Sequence, residues 1–176
     1  MKLTLLLSYI FSISYVTSSC VPECKCPDIE THYEPNRGWS GTPNPDGRLF
    51  ASEGPGCSRN LTCQLSSMTY FVSMFDNTNI EKPSDAASWS GITIIANSPG
   101  VDKTGIYVDL VELFGIVCED SKWIITKYPY GYLYEIENMD SIHVDSSQLS
   151  SKPYRTEIKR FYCDGDDEKL FQEMMG

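Results

Sequence analysis

The stretch GPGCSRNLTC, Gly54 to Cys63, sets two cysteines around an Asn-Leu-Thr sequon. Continued to Leu65, it alternates. Cys57, Arg59, Leu61, Cys63 and Leu65 fall on one side; Ser58, Asn60, Thr62 and Gln64 fall on the other. A period of two with one polar face is the pattern of a half-buried strand. Arg59 is the exception on the apolar face and is expected at the sheet margin. Six strand residues at about 3.3 Å each set the two cysteines roughly 20 Å apart, whereas a disulfide needs Cα atoms within about 7 Å. Cys57 and Cys63 are therefore expected to reach distant partners and not each other. Asn60 lies on the polar face, where a glycan has room to project, and is the candidate glycosylation site.

Downstream, strand-like runs follow one another. Met68 to Phe75 is rich in aromatic and β-branched residues and stops at Asp76-Asn77; Gly91 to Asn97 is stopped by Ser98-Pro99-Gly100. Gly105 to Cys118 places Ile106, Val108, Leu110, Phe114, Ile116 and Cys118 on one face at period two, with Glu112 as the exception; part of it fits a helix, but Gly105, Gly115 and the β-branched content favour strand. Glu119 to Lys122 reads as a hairpin turn into Trp123–Tyr128, followed by Gly131–Ile136 and Ser141–Val144. Thr156 to Cys163 fits either strand or helix. Many short strands between turn signals predict an all-β fold, an antiparallel sandwich or barrel-like domain over residues 57–165. Acidic residues ahead of Leu170, Phe171, Met174 and Met175 predict a short C-terminal helix or tail over 166–176.

Upstream the composition changes. Residues 1–19 carry a positive Lys2, an apolar core from Leu3 to Val16 and small residues at Ser18 and Ser19, the layout of a secretory signal peptide too short to span a membrane. The mature chain is then expected to be secreted, extracellular and without a membrane span. Residues 20–56 hold a cysteine cluster and an arm rich in Pro and Gly, where regular structure is not expected beyond a turn at Asn44 to Gly47. Trp39 and Phe50 are candidates to dock this arm. The seven cysteines, Cys20, Cys24, Cys26, Cys57, Cys63, Cys118 and Cys163, read as disulfides in an exported chain. Cleavage before Cys20 leaves an odd thiol, free or paired to another chain; cleavage after it leaves an even set whose connectivity the sequence does not give. Cys24 and Cys26 are too close along the chain to pair readily, so at least one reaches elsewhere.

The net charge of −10 argues against nucleic acid and against a basic membrane-binding patch. No catalytic motif stands out: there is no GxSxG, HExxH, P-loop or GxGxxG. His32 sits in the arm and His143 alternates with Ile142 and Val144, positions that read as sheet or surface. The run Asp164 to Glu168 lacks the ligand spacing of a calcium loop. No cofactor or metal site is expected. Tyr128, Tyr130, Tyr132 and Tyr134 would share a face of one strand, which makes Tyr130, Tyr132 and Tyr134 a candidate binding surface for a protein or carbohydrate. Pro129 and Gly131 instead suggest a turn among them, and cross-strand packing is the plainer reading.

Gly56-Cys57, Leu61-Thr62-Cys63 and the later Cys118–Trp123 hairpin resemble the nematode secreted family called domain of unknown function 281, over roughly Gly56 to Val144. The resemblance implies a secreted, disulfide-stabilised domain and assigns no catalytic residue. That family's pattern has a cysteine near Ser141–Val144, where this chain has His143; Cys163 is the candidate substitute. The expected function is thus a non-catalytic interaction module, with a carboxylate-using hydrolase and a disulfide-locked inhibitor as alternatives.

Overall fold

A computed structural model of the chain describes residues 23–35, 48–64, 68–97, 108–149 and 152–164. The signal peptide, Cys20, Trp39, the Asn44–Gly47 turn and the C-terminal helix of the sequence reading lie outside the described residues. The fold is all-β, and every named strand pairing is antiparallel. Strands β1 (Arg48–Glu53) and β2 (Arg59–Gln64) form a hairpin. Strands β3 (Met68–Met74), β4 (Gly91–Asn97), β7 (Tyr132–Glu135), β8 (Ser141–Val144) and β10 (Arg160–Asp164) form a five-stranded sheet in the order β10-β3-β4-β7-β8. Strands β5 (Val117–Glu119), β6 (Lys122–Ile125) and β9 (Thr156–Glu157) make a third sheet in the order β5-β6-β9.

The pleat sorts the five-stranded sheet into two faces. Phe71 of β3, Ile92, Ile94 and Ala96 of β4, Tyr132 and Tyr134 of β7 and Phe161 of β10 point inward, and they share one core with Leu61 and Cys63 of β2 and Trp123 and Ile125 of β6. Phe71 stacks on its cross-strand partner Phe161 at 4.9 Å between centroids and meets Phe114 edge-on at 4.6 Å. Such offset and edge geometries suit the ring quadrupoles. The alternate residues Tyr70, Ile95, Leu133 and Tyr162 make a smaller cluster on the outer face.

The opening stretch behaves as its alternation requires. Arg59, Leu61 and Cys63 are buried, while Asn60 is exposed. Arg59 is at the margin, the first residue of β2 and the end of its register with β1, and it is buried there all the same. Its guanidinium lies 5.9 Å from the Trp123 ring, donates to the Ser58 carbonyl at 2.8 Å and pairs with Glu53 at 3.1 Å. An arginine reaches this depth because its planar cation can pair and stack at once.

Residues 108–116 depart from the strand reading, and the start of that run, 105–107, lies outside the described residues. Leu110–Phe114 is a helix, α1, and only Val117 onward is strand. Asp109 caps it by accepting from the Val111 amide at 3.0 Å, and also accepts from the Leu61 amide at 3.1 Å, which fastens α1 to β2. Gly115, at φ 57°, ends the helix in the left-handed region. Leu110 and Phe114 are both buried and four residues apart, so they satisfy a helical face as well as an alternating one. Glu112, the odd member of the alternation, is exposed on the helix. The Asp cap and Gly stop decide between the two periods.

The arm also contains more regular structure than its Pro and Gly content suggests. Ile29–His32 forms a 3-10 turn capped by Asp28, and Arg48–Glu53 becomes β1 because β2 offers it an edge. The arm is docked by Ile29, fully buried, and by the Trp123 indole N–H donating to the Pro27 carbonyl at 2.8 Å. Phe50, on β1, is 48% exposed.

Candidate functional site

Among the described residues three disulfides tie the fold: Cys24–Cys57, Cys26–Cys118 and Cys63–Cys163. Cys57 and Cys63 do not bond to each other, as expected, but the expected strand is shorter at its start: β2 begins at Arg59, and Cys57 sits in the turn between β1 and β2. Cys163 takes the last position, joining β10 to β2, and the Thr69 hydroxyl donates to Cys63 Sγ at 3.3 Å. The hairpin over Glu119–Lys122 is a two-residue turn with Asp120 and Ser121 at φ 48° and 64°. That sign suits the strand twist of a tight hairpin. It sets Cys118 opposite Trp123. The sulfur atoms of Cys24, Cys57 and Cys118 lie within 4.8 Å of one another. All three are in disulfides, and a disulfide sulfur lacks the thiolate charge that binds metal.

The outer face of the five-stranded sheet carries a groove of about 600 Å³. Its apolar walls include Met74, Trp89 and Met139, which are 47%, 46% and 78% exposed. Thr93, Glu135, Ser141 and Arg160 supply polar groups along it. Trp89 sits on a loop that is tied down at several points. The Ala87 amide donates to the Glu135 carbonyl at 2.9 Å, the Ser88 amide to Glu137 Oε1 at 3.1 Å and Lys82 Nζ to the Ala87 carbonyl at 2.7 Å. The Ser90 hydroxyl then accepts from the Glu135 amide at 2.9 Å. At the base, Gly91 is a close-approach site: a Cβ there would meet the Ser73 carbonyl oxygen at 2.5 Å. The indole is thus presented by a braced loop, an arrangement that spares ordering entropy on contact.

The tyrosines do not form an exposed row. Tyr132 and Tyr134 are 4% and 7% exposed and point into the core, and Tyr130 is half-buried before the turn at Gly131. Gly131 has φ 86°, and a Cβ there would clash with the Val144 carbonyl, so the chain bends where one straight face was needed. Burial pushes the Tyr132 hydroxyl up to about 12. Burial likewise raises Tyr134, which donates to Asp85 at 3.0 Å. Both histidines donate to backbone: His32 Nδ1 to the Lys159 carbonyl at 3.1 Å and His143 Nε2 to the Tyr130 carbonyl at 2.6 Å. Glu157, at a third-sheet hollow, is held below its ordinary value: burial pushes it up, but the Lys159 and Lys122 ammonium groups that hydrogen-bond to it outweigh that. Asn60 is exposed on β2, its amide 3.5 Å from the Ser52 hydroxyl, while the Thr62 hydroxyl donates to the Val108 carbonyl at 2.9 Å. Sequence reasoning missed Trp89, Met74 and Met139. Trp89 carried a faint signal, an aromatic between Ser88 and Ser90 in a loop; nothing local placed it beside β3 and β7.

The model of the family described as TRA-1 regulated protein R03H10.4 matches residues 22–163. This chain belongs to that family. The match runs from just before Cys24 to Cys163, so it encloses all three disulfides and every described strand but the last residue of β10. No curated protein and no solved structure matches the chain. Among the described residues no helix is long and apolar enough to cross a membrane.

Proposed function

We propose that this chain is a secreted, non-catalytic interaction module that holds a hydroxyl-rich ligand, an extracellular carbohydrate, in the groove on the outer face of its five-stranded sheet. The observation that carries this reading is Trp89, half exposed on a braced loop and set among hydroxyl, carboxylate and guanidinium groups. An aromatic face with polar groups around it matches the alternating apolar and hydroxyl surface of a sugar ring. Secretion is supported by the signal-like N-terminus and by three disulfides. Glycosylation of Asn60 is supported by its sequon and its exposure. The Gly56-Cys57, Leu61-Thr62-Cys63 and Cys118–Trp123 elements support placing the domain of unknown function 281 pattern on this fold.

The hydrolase reading is less favoured because, among the described residues that line the groove, Glu135 is the one carboxylate. The inhibitor reading is less favoured because the segment between Cys57 and Cys63 is strand and not a protruding loop. The test is an array of extracellular glycans probed with the purified secreted chain and with Trp89→Ala. Binding by the first and at least about tenfold weaker binding by the second is expected for a lost aromatic contact. Equal binding by both, or cleavage of a bound glycan, would sink the proposal.

A further inference from the structure

The three disulfides differ in surroundings. Cys63 and Cys163 are 1% and 2% exposed. Cys24, Cys57 and Cys118 are half-buried, and Cys57 and Cys118 line a surface hollow together with Lys25 and Asp120. Cys118 belongs to a different bond from Cys24 and Cys57, yet its sulfur lies within 4.8 Å of both of theirs. The two bonds also leave the chain from Cys24 and Cys26, two positions apart. The sulfur of the second bond is thus already beside the first bond.

We infer that these paired disulfides are a thiol-exchange site, which takes up an incoming thiolate and passes the exchange from one bond to the next. The thiolate attacks Cys57 Sγ from the hollow. A new S–S bond forms there, the Cys24–Cys57 bond breaks, and Cys24 leaves as thiolate. Cys24 Sγ then attacks Cys118 Sγ. A Cys24–Cys118 bond forms, the Cys26–Cys118 bond breaks, and Cys26 leaves as thiolate and takes a proton from water. One thiolate enters and one leaves, and the number of disulfides is unchanged, so no oxidant or reductant is consumed. The outcome is a covalent bond to the incoming thiol at Cys57. The thiolate can come from solution or from the chain's own Cys20, four positions before Cys24.

The test uses the full secreted chain, reduced glutathione as the probe, alkylation with N-ethylmaleimide and peptide mapping. Expected are glutathione on Cys57, a Cys24–Cys118 linkage and an alkylated Cys26, arising at least about tenfold faster than any product at Cys63–Cys163, because exchange rates follow access. With glutathione, a C20S chain should react in the same way. A Cys20–Cys57 bond formed without glutathione and absent from C20S would assign the attacking thiolate to the chain and support the same site. In a C26S/C118S chain the alkylated thiol should move to Cys24. Glutathione on Cys57 with Cys26–Cys118 intact, glutathione on Cys118 with Cys24–Cys57 intact, or equal reaction at Cys63–Cys163 would each overturn the inference.

Discussion

The Cys63–Cys163 bond and the pair formed by Cys24–Cys57 and Cys26–Cys118 are built from the same chemistry but do different work. The first joins β2 to β10 across the core, between side chains almost without exposure. The second clamps the N-terminal arm onto a hairpin loop and onto β5, with sulfurs close to the surface and to each other. Burial makes one a permanent link between sheets. Partial exposure makes the other open to chemistry. The contrast teaches that disulfide count says little until each bond's surroundings are known.

The sharpest way to break this comparison is to remove the core bond. In a C63A/C163A chain the lost cross-link closes a separation of 100 residues, and the expected cost is about 5 kcal/mol from chain entropy, read as a lower denaturant midpoint or failure to accumulate folded protein. Removing the arm bond in C24A/C57A opens a separation of 33, with an expected cost of about 3–4 kcal/mol in the same unfolding measurement. A smaller loss for the core bond than for the arm bond would reverse the assignment.

Alkaline titration probes the buried side more gently. Thr78 donates its hydroxyl to the Arg155 carbonyl, so Thr156 donates to Thr78 and Tyr128 donates to Thr156, at 2.8 Å each. Burial pushes the Tyr128 hydroxyl from 10.0 up to about 12, against the lowering effect of its threonine partners. A raised folded value means that the folded chain keeps a proton the unfolded chain has released. This stabilisation is present in full below pH 10 and is lost as pH rises towards 12. A loss on the order of 2 kcal/mol is expected over that window. Denaturant unfolding across that pH range should show it, and phenolate absorbance of Tyr128→Phe against the parent chain should lack one late-titrating group.

Asp109→Ala tests the fastening of α1 to β2 beside the core bond. It removes a helix cap and leaves the Leu61 amide without its carboxylate partner, for an expected cost of about 1–2 kcal/mol, with Asp109→Asn recovering much of it. Trp89→Ala should change stability least, by no more than about 0.5 kcal/mol, because the indole is half exposed. A large loss there would mean that Trp89 serves the fold and not a ligand.

Much of the fold was legible locally. The alternation around Asn60, the aromatic run of β3, the two-residue turn at Asp120-Ser121 and the strands β4, β7 and β8 all announce themselves through period, turn residues or β-branched content. The segment from Leu110 to Phe114 did not, because residues four apart satisfy both periods and only its cap and its stop break the tie. The candidate site was scarcely legible. Tyr132 and Tyr134 read either as a surface or, more plainly, as cross-strand packing, and the structure buries them, since a strand's sequence marks two faces without saying which one is covered.

The sequence by itself determined that Cys63 stands in a strand, on the face of Arg59 and Leu61, because side-chain alternation is a local property of the backbone; the strand begins at Arg59, so Cys57 lies in the turn ahead of it. Local periodicity likewise determined which residues share a side with Leu61 and that Asn60 stands opposite them. Tertiary structure alone decided that Cys163 is the partner of Cys63, that Cys118 rests beside Cys24–Cys57, and that Trp89 overlooks a groove walled by β3, β4, β7 and β10. Those contacts join residues far apart along the chain. They are set by sheet register and core packing, which no single segment carries.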